Sequence, residues 1–499
     1  MASIEAAAPQ RWMARRLSVE EWILAVIIVY FLGLRLLQTS LAPPMQDEPY
    51  YWLWGRHLAL SYYDHPPLHG WIQGLSYQLF GKNVFALRWT TWAALAAELW
   101  VFVQVAQRIA GDEWRVMFLR STAIFMAMPI YGVFTGFAYH DHLLVAFMMT
   151  SGYLFWRFFA EVEDGGRGSS ALLFGGAGLL GLAVLTKYNG AFLGIAVAGA
   201  VLIRPKLRPL LLDWRLYAAA LFAVALQAPV LIWNLQNGFE SFLYQMGSRH
   251  GTTGFRGIDI VRLKAALGNA LLMASPFIVP IVIRSFWASG GGTFERVGRT
   301  LAILLFWPCA LVLLYIANFS WIMVWWTITI YVLFVPLAGR YATPGILGLH
   351  LLYGVIANTF SSVSYAVVPI LLLFGIPHGM ETESQHGWPI ISQRVLDLQQ
   401  EHGADFIAMN YAQNASELAY ALDDPNVVAI TPQKNTFDYW FDPALIGKDA
   451  IFVSPEGGED NWRESFERVT ELDTVPAQVW GYTVRTYRIY LAEGLTHMQ

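Results

Sequence analysis

The chain has 499 residues, 56% hydrophobic and only 14% charged, with a mean hydropathy of +0.43. A soluble protein carries roughly a quarter charged residues, so this composition excludes an ordinary soluble enzyme and predicts a polytopic membrane protein. The net charge of −4 singles out no partner, and a single cysteine, Cys309, excludes an intramolecular disulfide.

Apolar runs at 22–41, 84–106, 117–137, 142–160, 171–186, 190–203, 216–234, 266–283, 300–317, 321–339 and 350–376 approach or exceed the roughly 20 residues that cross a bilayer. They predict eleven spans, within a range of about 11–13 because the stretch from 345 to 377 has room for two. The first run is too long for a signal-peptide core and lacks a small-residue cleavage site, so it reads as an uncleaved helix. Runs 171–186 and 190–203 are short enough to be broken or tilted. With the N-terminus inside, the inner loops collect sixteen Lys and Arg against about eight outside, from Arg11, Arg15 and Arg16 through to Arg340. That orientation puts 42–83, 138–141, 235–265 and everything after 377 on the far side of the membrane.

Between the first two runs lies QDEPYYWLWGRHLALSYYDHPPLHGW, residues 46–71. Pro43 and Pro44 end the first span, and Gln46-Asp47-Glu48-Pro49 is a helix start with acids near the positive end of the helix dipole. From Pro49 to Leu60 the pattern is aromatic and amphipathic, as in a helix lying along the membrane surface with Asp47 and Tyr51 on one face. Residues 62–67 form a turn, and a second surface helix follows to Phe80. Asp47 and Asp64 then sit at the two ends of a surface helix, either as a cap and a solvated loop acid or as chemistry.

Further on, AYHDHLL (138–144) sets Asp141 between His140 and His142 in a minimal loop. Ionisable groups at such a depth face a cavity or a partner, although a helix cap with interfacial histidines would give the same pattern. His-Asp-His also leaves a divalent cation open as a cofactor, without ligand spacing of a known type. LTKYNGAF places Lys187 at the outer end of a span, where snorkelling is the default explanation. The loop 233–251 carries Arg249 and His250; a cation there suits a phosphate, and an ordinary solvated loop fits equally. SWIMVWW (320–326) reads as an aromatic belt.

After Pro377 the composition changes. ADFIAMNY, PNVVAIT and KDAIFVS read as short strands, with amphipathic segments ISQRVLDLQQ and ASELAYALDD before and between the first two. The expected fold is therefore mainly α, with a transmembrane part at 1–377 and a small α/β domain at 378–499 outside the membrane. Carboxylates, aromatics and cations gathered on one outer face suit a reaction in which a membrane-bound phosphate leaves a sugar. A carboxylate takes the acceptor proton, cations hold the departing phosphate, and aromatics give sugars a stacking face.

QDEPYYW, SYYDHPPL, FAYHDHLL and LTKYNGAF, with PVLIWNLQNGFESFLYQMGSR and the tail, resemble the bacterial members of the C-type (GT-C) glycosyltransferase superfamily. These are the integral-membrane relatives of protein O-mannosyltransferases and of the aminoarabinose transferase of lipid A. The resemblance covers nearly the whole chain, and its paired-acid and Asp-x-Pro-Pro motifs are specific together and weak singly. It implies a GT-C fold, a polyprenyl-phosphate sugar donor, inverting transfer and an active site on the periplasmic face of the bacterial inner membrane. It also implies Asp47 as the catalytic carboxylate, Glu48 beside it, Asp64 as a second functional acid, and Asp141 as a further one. Some relatives carry Lys before the Pro-Pro and Arg shortly after the acid pair; His65 and Tyr50 stand there in this chain. Substrate and donor binding is accordingly expected from Tyr50, Tyr51, Arg56, His65, Asp141, Lys187, Arg249 and His250. The reaction expected within this branch decorates lipopolysaccharide, lipid A or core, with galacturonic acid or a hexose; the departures count against aminoarabinose. Protein O-mannosyl transfer is the alternative enzyme. A lipid-linked sugar transporter is the alternative class, disfavoured by acids on one face and no visible repeat.

Overall fold

In a computed structural model the structure describes residues 16–248, 257–375 and 385–498. The first helix, α1 (Val19–Leu41), starts at a capping box in which Ser18 and Glu21 satisfy each other's backbone N–H groups. Its lipid side exposes Trp22, Ile23, Val26 and Val29, while Arg35, Gln38 and Thr39 are buried inward. Arg35 donates to the Thr135 hydroxyl at 2.9 Å and to the carbonyls of Thr91 and Thr135, and Gln38 donates to the Val133 carbonyl. This inversion, apolar outside and polar inside, is what a hydrocarbon solvent imposes, because each polar group must find its partner within the protein.

Two short helices follow, α2 (Asp47–Arg56) and α3 (Leu68–Phe80). The bundle continues with α4 (Val84–Ala110), α5 (Trp114–Ala127), α6 (His140–Glu163), α7 (Ser170–Thr186) and α8 (Ala191–Ile203). After these come α9 (Trp214–Ala225), α10 (Ala228–Gln236), α11 (Ile260–Ala274), α12 (Ile278–Trp287), α13 (Thr293–Ile316) and α14 (Pro344–Ala366). Five helical stretches among the described residues are long and apolar enough to cross a membrane, and eight if each bent pair is one span. The expected eleven to thirteen are not all continuous helices. The run 266–283 bends by 91° between α11 and α12, and α8 turns by 106° into the 3₁₀ segment Pro205–Leu212. The run 321–339 is not a span: it holds the 3₁₀ segment Val324–Thr329 and the seven-residue helix Val335–Tyr341.

Beyond residue 385, α15 (Trp388–His402) and α16 (Ala412–Leu422) pack on a five-stranded sheet. Its strands are β1 (Phe406–Met409), β2 (Val428–Ala429), β3 (Ala450–Pro455), β4 (Phe466–Val479) and β5 (Tyr482–Leu495) in the order β2-β1-β3-β5-β4. β1 runs parallel to β2 and β3, and β5 lies antiparallel to both β3 and β4. One hydrophobic core joins this unit to the surface helices. Tyr51, Leu53 and Trp54 of α2 belong to the same buried cluster as Ile391, Val395 and Leu418 of α15 and α16, and α2 packs directly on α16. The α/β unit is thus fastened over the helix that carries the acid pair.

Candidate active site

Glu48 sets where α2 begins. Its carboxylate is fully buried and accepts from Arg88 Nε at 2.8 Å, Arg88 Nη2 at 2.5 Å, and the backbone N–H groups of Met45 (2.8 Å) and Ala138 (2.6 Å). The same Arg88 donates to the carbonyls of Gln38, Ala42 and Pro43. One buried pair therefore ties the end of α1, the start of α2, α4 and the 133–139 segment together. Glu48 was expected in the catalytic set, but the structure gives it this clamp instead. A helix advances 100° per residue, so with Glu48 turned into the protein, Asp47, Tyr50 and Tyr51 (i, i+3, i+4) share the adjoining face, centred about 100° round the helix, and line a cavity of about 330 Å³.

Asp64 enters the same cavity from the 62–67 turn. Tyr50 donates to its Oδ2 at 3.1 Å and Thr436 to its Oδ1 at 2.9 Å, while the Gln245 amide holds its backbone carbonyl. Burial, then the neighbouring Asp64 charge, push the Tyr50 hydroxyl well above its usual range, so it stays protonated and donates. Tyr51 is raised for the same first reason, reinforced by Asp47, Asp141 and Asp64.

The third wall comes from the start of α6 and the end of α7. Lys187 lines the cavity and donates to both oxygens of Asp141, at 2.9 and 3.2 Å, with both side chains buried. Asp141 itself sits behind the cavity, in the first turn of α6, where the helix dipole favours a carboxylate. His65 and His140 line the cavity with ring centroids 4.3 Å apart, and His69 lies behind them, its Nε2 2.7 Å from the Ala138 carbonyl. Burial depresses the His69 pKa to about 4, so it is neutral at ordinary pH and Nε2–H donates. Among the described residues no group of three or more His, Cys, Asp or Glu is arranged to hold a metal ion.

Trp321, Trp325 and Trp326 close the cavity from the 320–329 segment, and Gln413 of α16 reaches it from the C-terminal unit. The SWIMVWW belt is therefore a wall of the site. The sequence signal available for it is the tryptophan density of the run, three in six residues. Arg56, expected to bind donor, points elsewhere: its guanidinium lies over the Tyr77 ring at 4.1 Å and the Trp52 ring at 5.6 Å. Arg249 and His250 lie outside the described residues.

The arrangement, two carboxylates and an ammonium in an aromatic cavity between a membrane bundle and its surface helices, suits the chemistry of a membrane-embedded sugar transferase. Residues 64–233 match the family described as dolichyl-phosphate-mannose-protein mannosyltransferase. The lipid A galacturonosyltransferase RgtD of Rhizobium johnstonii is 25% identical over 396 residues, covering 76% of this chain and 77% of that protein. The lipopolysaccharide core galacturonosyltransferase RgtB of the same organism is 29% identical over 226 residues, spanning 43% of this chain and 42% of its own. ArnT from Cupriavidus metallidurans, solved without ligand, superposes with a TM-score of 0.63 at 13% identity over 95% of this chain and 98% of that one. The structure of ArnT bound to undecaprenyl phosphate gives 0.62 at 14% identity over 97% and 100%. At such identity the likeness is one of fold. The chain thus resembles bacterial membrane glycosyltransferases over three quarters of its length and shares the ArnT fold, and its long apolar helices are those of a multi-pass membrane protein.

Proposed function

We propose that this enzyme transfers galacturonic acid from a polyprenyl-phosphate donor to lipid A or the lipopolysaccharide core, with the cavity opening on the periplasmic face. The observation that carries the reading is the convergence of Asp47, Asp64 and Lys187 on one cavity beside the membrane surface. The names of the two Rhizobium relatives support the sugar and acceptor, the undecaprenyl phosphate held by the ArnT fold supports the donor class, and the basic inner loops support the orientation.

In this mechanism Asp47 takes the proton of the acceptor hydroxyl as that oxygen bonds to the anomeric carbon. The bond from that carbon to the phosphate oxygen breaks on the opposite face, its electron pair leaves with the polyprenyl phosphate, and configuration inverts. Lys187, buried and held by Asp141, faces the leaving phosphate charge. Asp64, held by two hydroxyl donors, stands as a fixed negative charge against the oxocarbenium-like centre. Tyr51 and the tryptophans of 321–326 exclude water and offer apolar faces to the sugar.

Mass spectrometry of lipid A, core and glycoproteins from a deletion strain tests the reading. Loss of one hexuronic acid from lipid A or core is the expected result. An unchanged lipopolysaccharide with a missing protein-linked hexose would overturn it in favour of protein O-mannosyl transfer, which the family description suits.

A further inference from the structure

Besides Gln413 of α16, the C-terminal unit meets the site through a short element, the 3₁₀ turn Thr436–Tyr439. A capping box fixes this turn: Asn435 accepts from the Phe437 N–H, and Asp438 accepts from the Asn435 N–H at 2.6 Å. Around it, contacts to four residues of the membrane part converge. Phe437, buried, stacks on Tyr50 with centroids 6.3 Å apart and planes 11° from parallel. Trp440 stacks on His57 at 4.5 Å. Lys434 and Tyr439 both bond Glu240, on the short helical turn Glu240–Leu243. The fourth contact is chemical rather than adhesive: the Thr436 hydroxyl, 1% exposed, donates to Asp64 Oδ1.

A seating surface needs only the first three contacts. A buried hydroxyl aimed at a cavity carboxylate makes a charge-assisted hydrogen bond, which favours the ionised acid and restricts its orientation. We infer that Thr436 is a positioning residue of the active site, contributed by the C-terminal unit, which with Tyr50 fixes the Asp64 carboxylate at the anomeric centre of the bound sugar. The inference rests on the role given to Asp64 above. Because Phe437 and Thr436 are neighbours on one turn, the same movement that unstacks Phe437 from Tyr50 withdraws the donor from Asp64. Seating of the α/β unit is thereby coupled to the charge that stabilises transfer.

The test compares full-length Thr436→Val and Thr436→Ser in membranes of a strain lacking the chromosomal copy, where native donor and acceptor are present. The readout is the initial rate of the sugar addition that the deletion comparison identifies, at matched protein levels. Thr436→Val keeps the methyl group and shape but removes the donor, and is expected to slow transfer about ten- to hundredfold, the worth of one hydrogen bond to a charged group. Thr436→Ser keeps the hydroxyl and is expected to restore most of the rate. A packing role predicts the reverse order, Ser impaired and Val near normal, and that result overturns the inference. Asp64→Asn in the same assay separates the two levels. Normal transfer by Asp64→Asn removes the parent reading, whereas a dead Asp64→Asn beside a normal Thr436→Val removes this inference alone.

Discussion

Lys187 and Asp141 bind each other across two membrane helices, Nζ lying 2.9 Å from Oδ1 and 3.2 Å from Oδ2, with 7% and 2% of the side chains exposed. A buried ion pair broken on one side leaves an uncompensated charge, at a cost of about 3–5 kcal/mol. Asp141→Asn and Lys187→Met should each lower the unfolding temperature in detergent, and the double variant should recover part of that loss. Catalysis should not follow stability. The double variant, lacking the cavity ammonium, is expected to keep a raised KM for the polyprenyl-phosphate donor. A donor KM restored along with stability would remove Lys187 from phosphate binding.

Adjacent acids in α2 should separate cleanly under mutation. Glu48 accepts four hydrogen bonds and is fully buried, while Asp47 is half-buried on the cavity face. Glu48→Gln is expected to destabilise the protein by about 3 kcal/mol or more through Arg88, with activity lost in proportion to folded protein. Asp47→Asn is expected to leave the unfolding temperature unchanged and to reduce turnover by at least about a hundredfold, as removal of a general base does. Near-normal turnover by folded Asp47→Asn would sink its assignment as base.

How much of this was legible in the sequence follows from range. The face shared by Asp47, Tyr50 and Tyr51 is a matter of helical spacing over five residues, and spacing predicts it. Strands β1, β2 and β3 were visible as apolar runs for the same reason. Glu48 looked like half of a catalytic pair because its partner, Arg88, is forty residues away and chain proximity carries no sign of it. Asp141 and Lys187 were both singled out, but their pairing depends on how α6 packs on α7. The hairpin β4–β5 is not legible because its exposed positions carry charges that mask the alternation, as in FERVTELD. The 321–339 run read as a span because hydropathy does not distinguish lipid-facing apolar side chains from those lining a cavity. Thr436 had no local signal at all, since its meaning lies wholly in a bond to Asp64.

Low pH should unfold the juxtamembrane region through His69. Its folded pKa of about 4 lies below the ordinary histidine value of about 6.5. Between those values the unfolded chain binds a proton that the folded one does not, so stability rises with pH. The contribution is complete above about pH 6.5 and is lost as pH falls toward 4, by up to about 1.4 kcal/mol per unit. His57, lowered chiefly by burial, acts in the same direction. His69→Gln keeps an N–H donor for the Ala138 carbonyl but does not titrate. Unfolding temperatures measured from pH 7 to 4.5 should therefore fall less steeply in that variant, and an unchanged slope would show that other groups carry the acid sensitivity.

The crossing of α2 and α3 rests on two glycines, and the site depends on that crossing. A Cβ on Gly55 would meet Gly74 Cα at 2.8 Å, and one on Gly74 would meet the Gly55 carbonyl oxygen at 2.7 Å. The obstructing atoms are backbone, so no rotamer change relieves them and the two helices must part. Parting tilts α2 about its Glu48 clamp, and Asp47, eight residues or roughly 12 Å along the helix from Gly55, shares that rigid element with Tyr50 and Tyr51. Gly55→Ala should cost about 1–3 kcal/mol of stability, as overpacking does, and should slow transfer in the protein that remains folded. Gly33→Ala on α1 provides the contrast, since nothing lies within 4 Å of its added methyl. It should be neutral or slightly stabilising, because alanine favours the helix by up to about 1 kcal/mol. Rates per folded molecule decide the matter: if Gly55→Ala turns over like Gly33→Ala, the α2–α3 contact holds the fold without setting the position of Asp47.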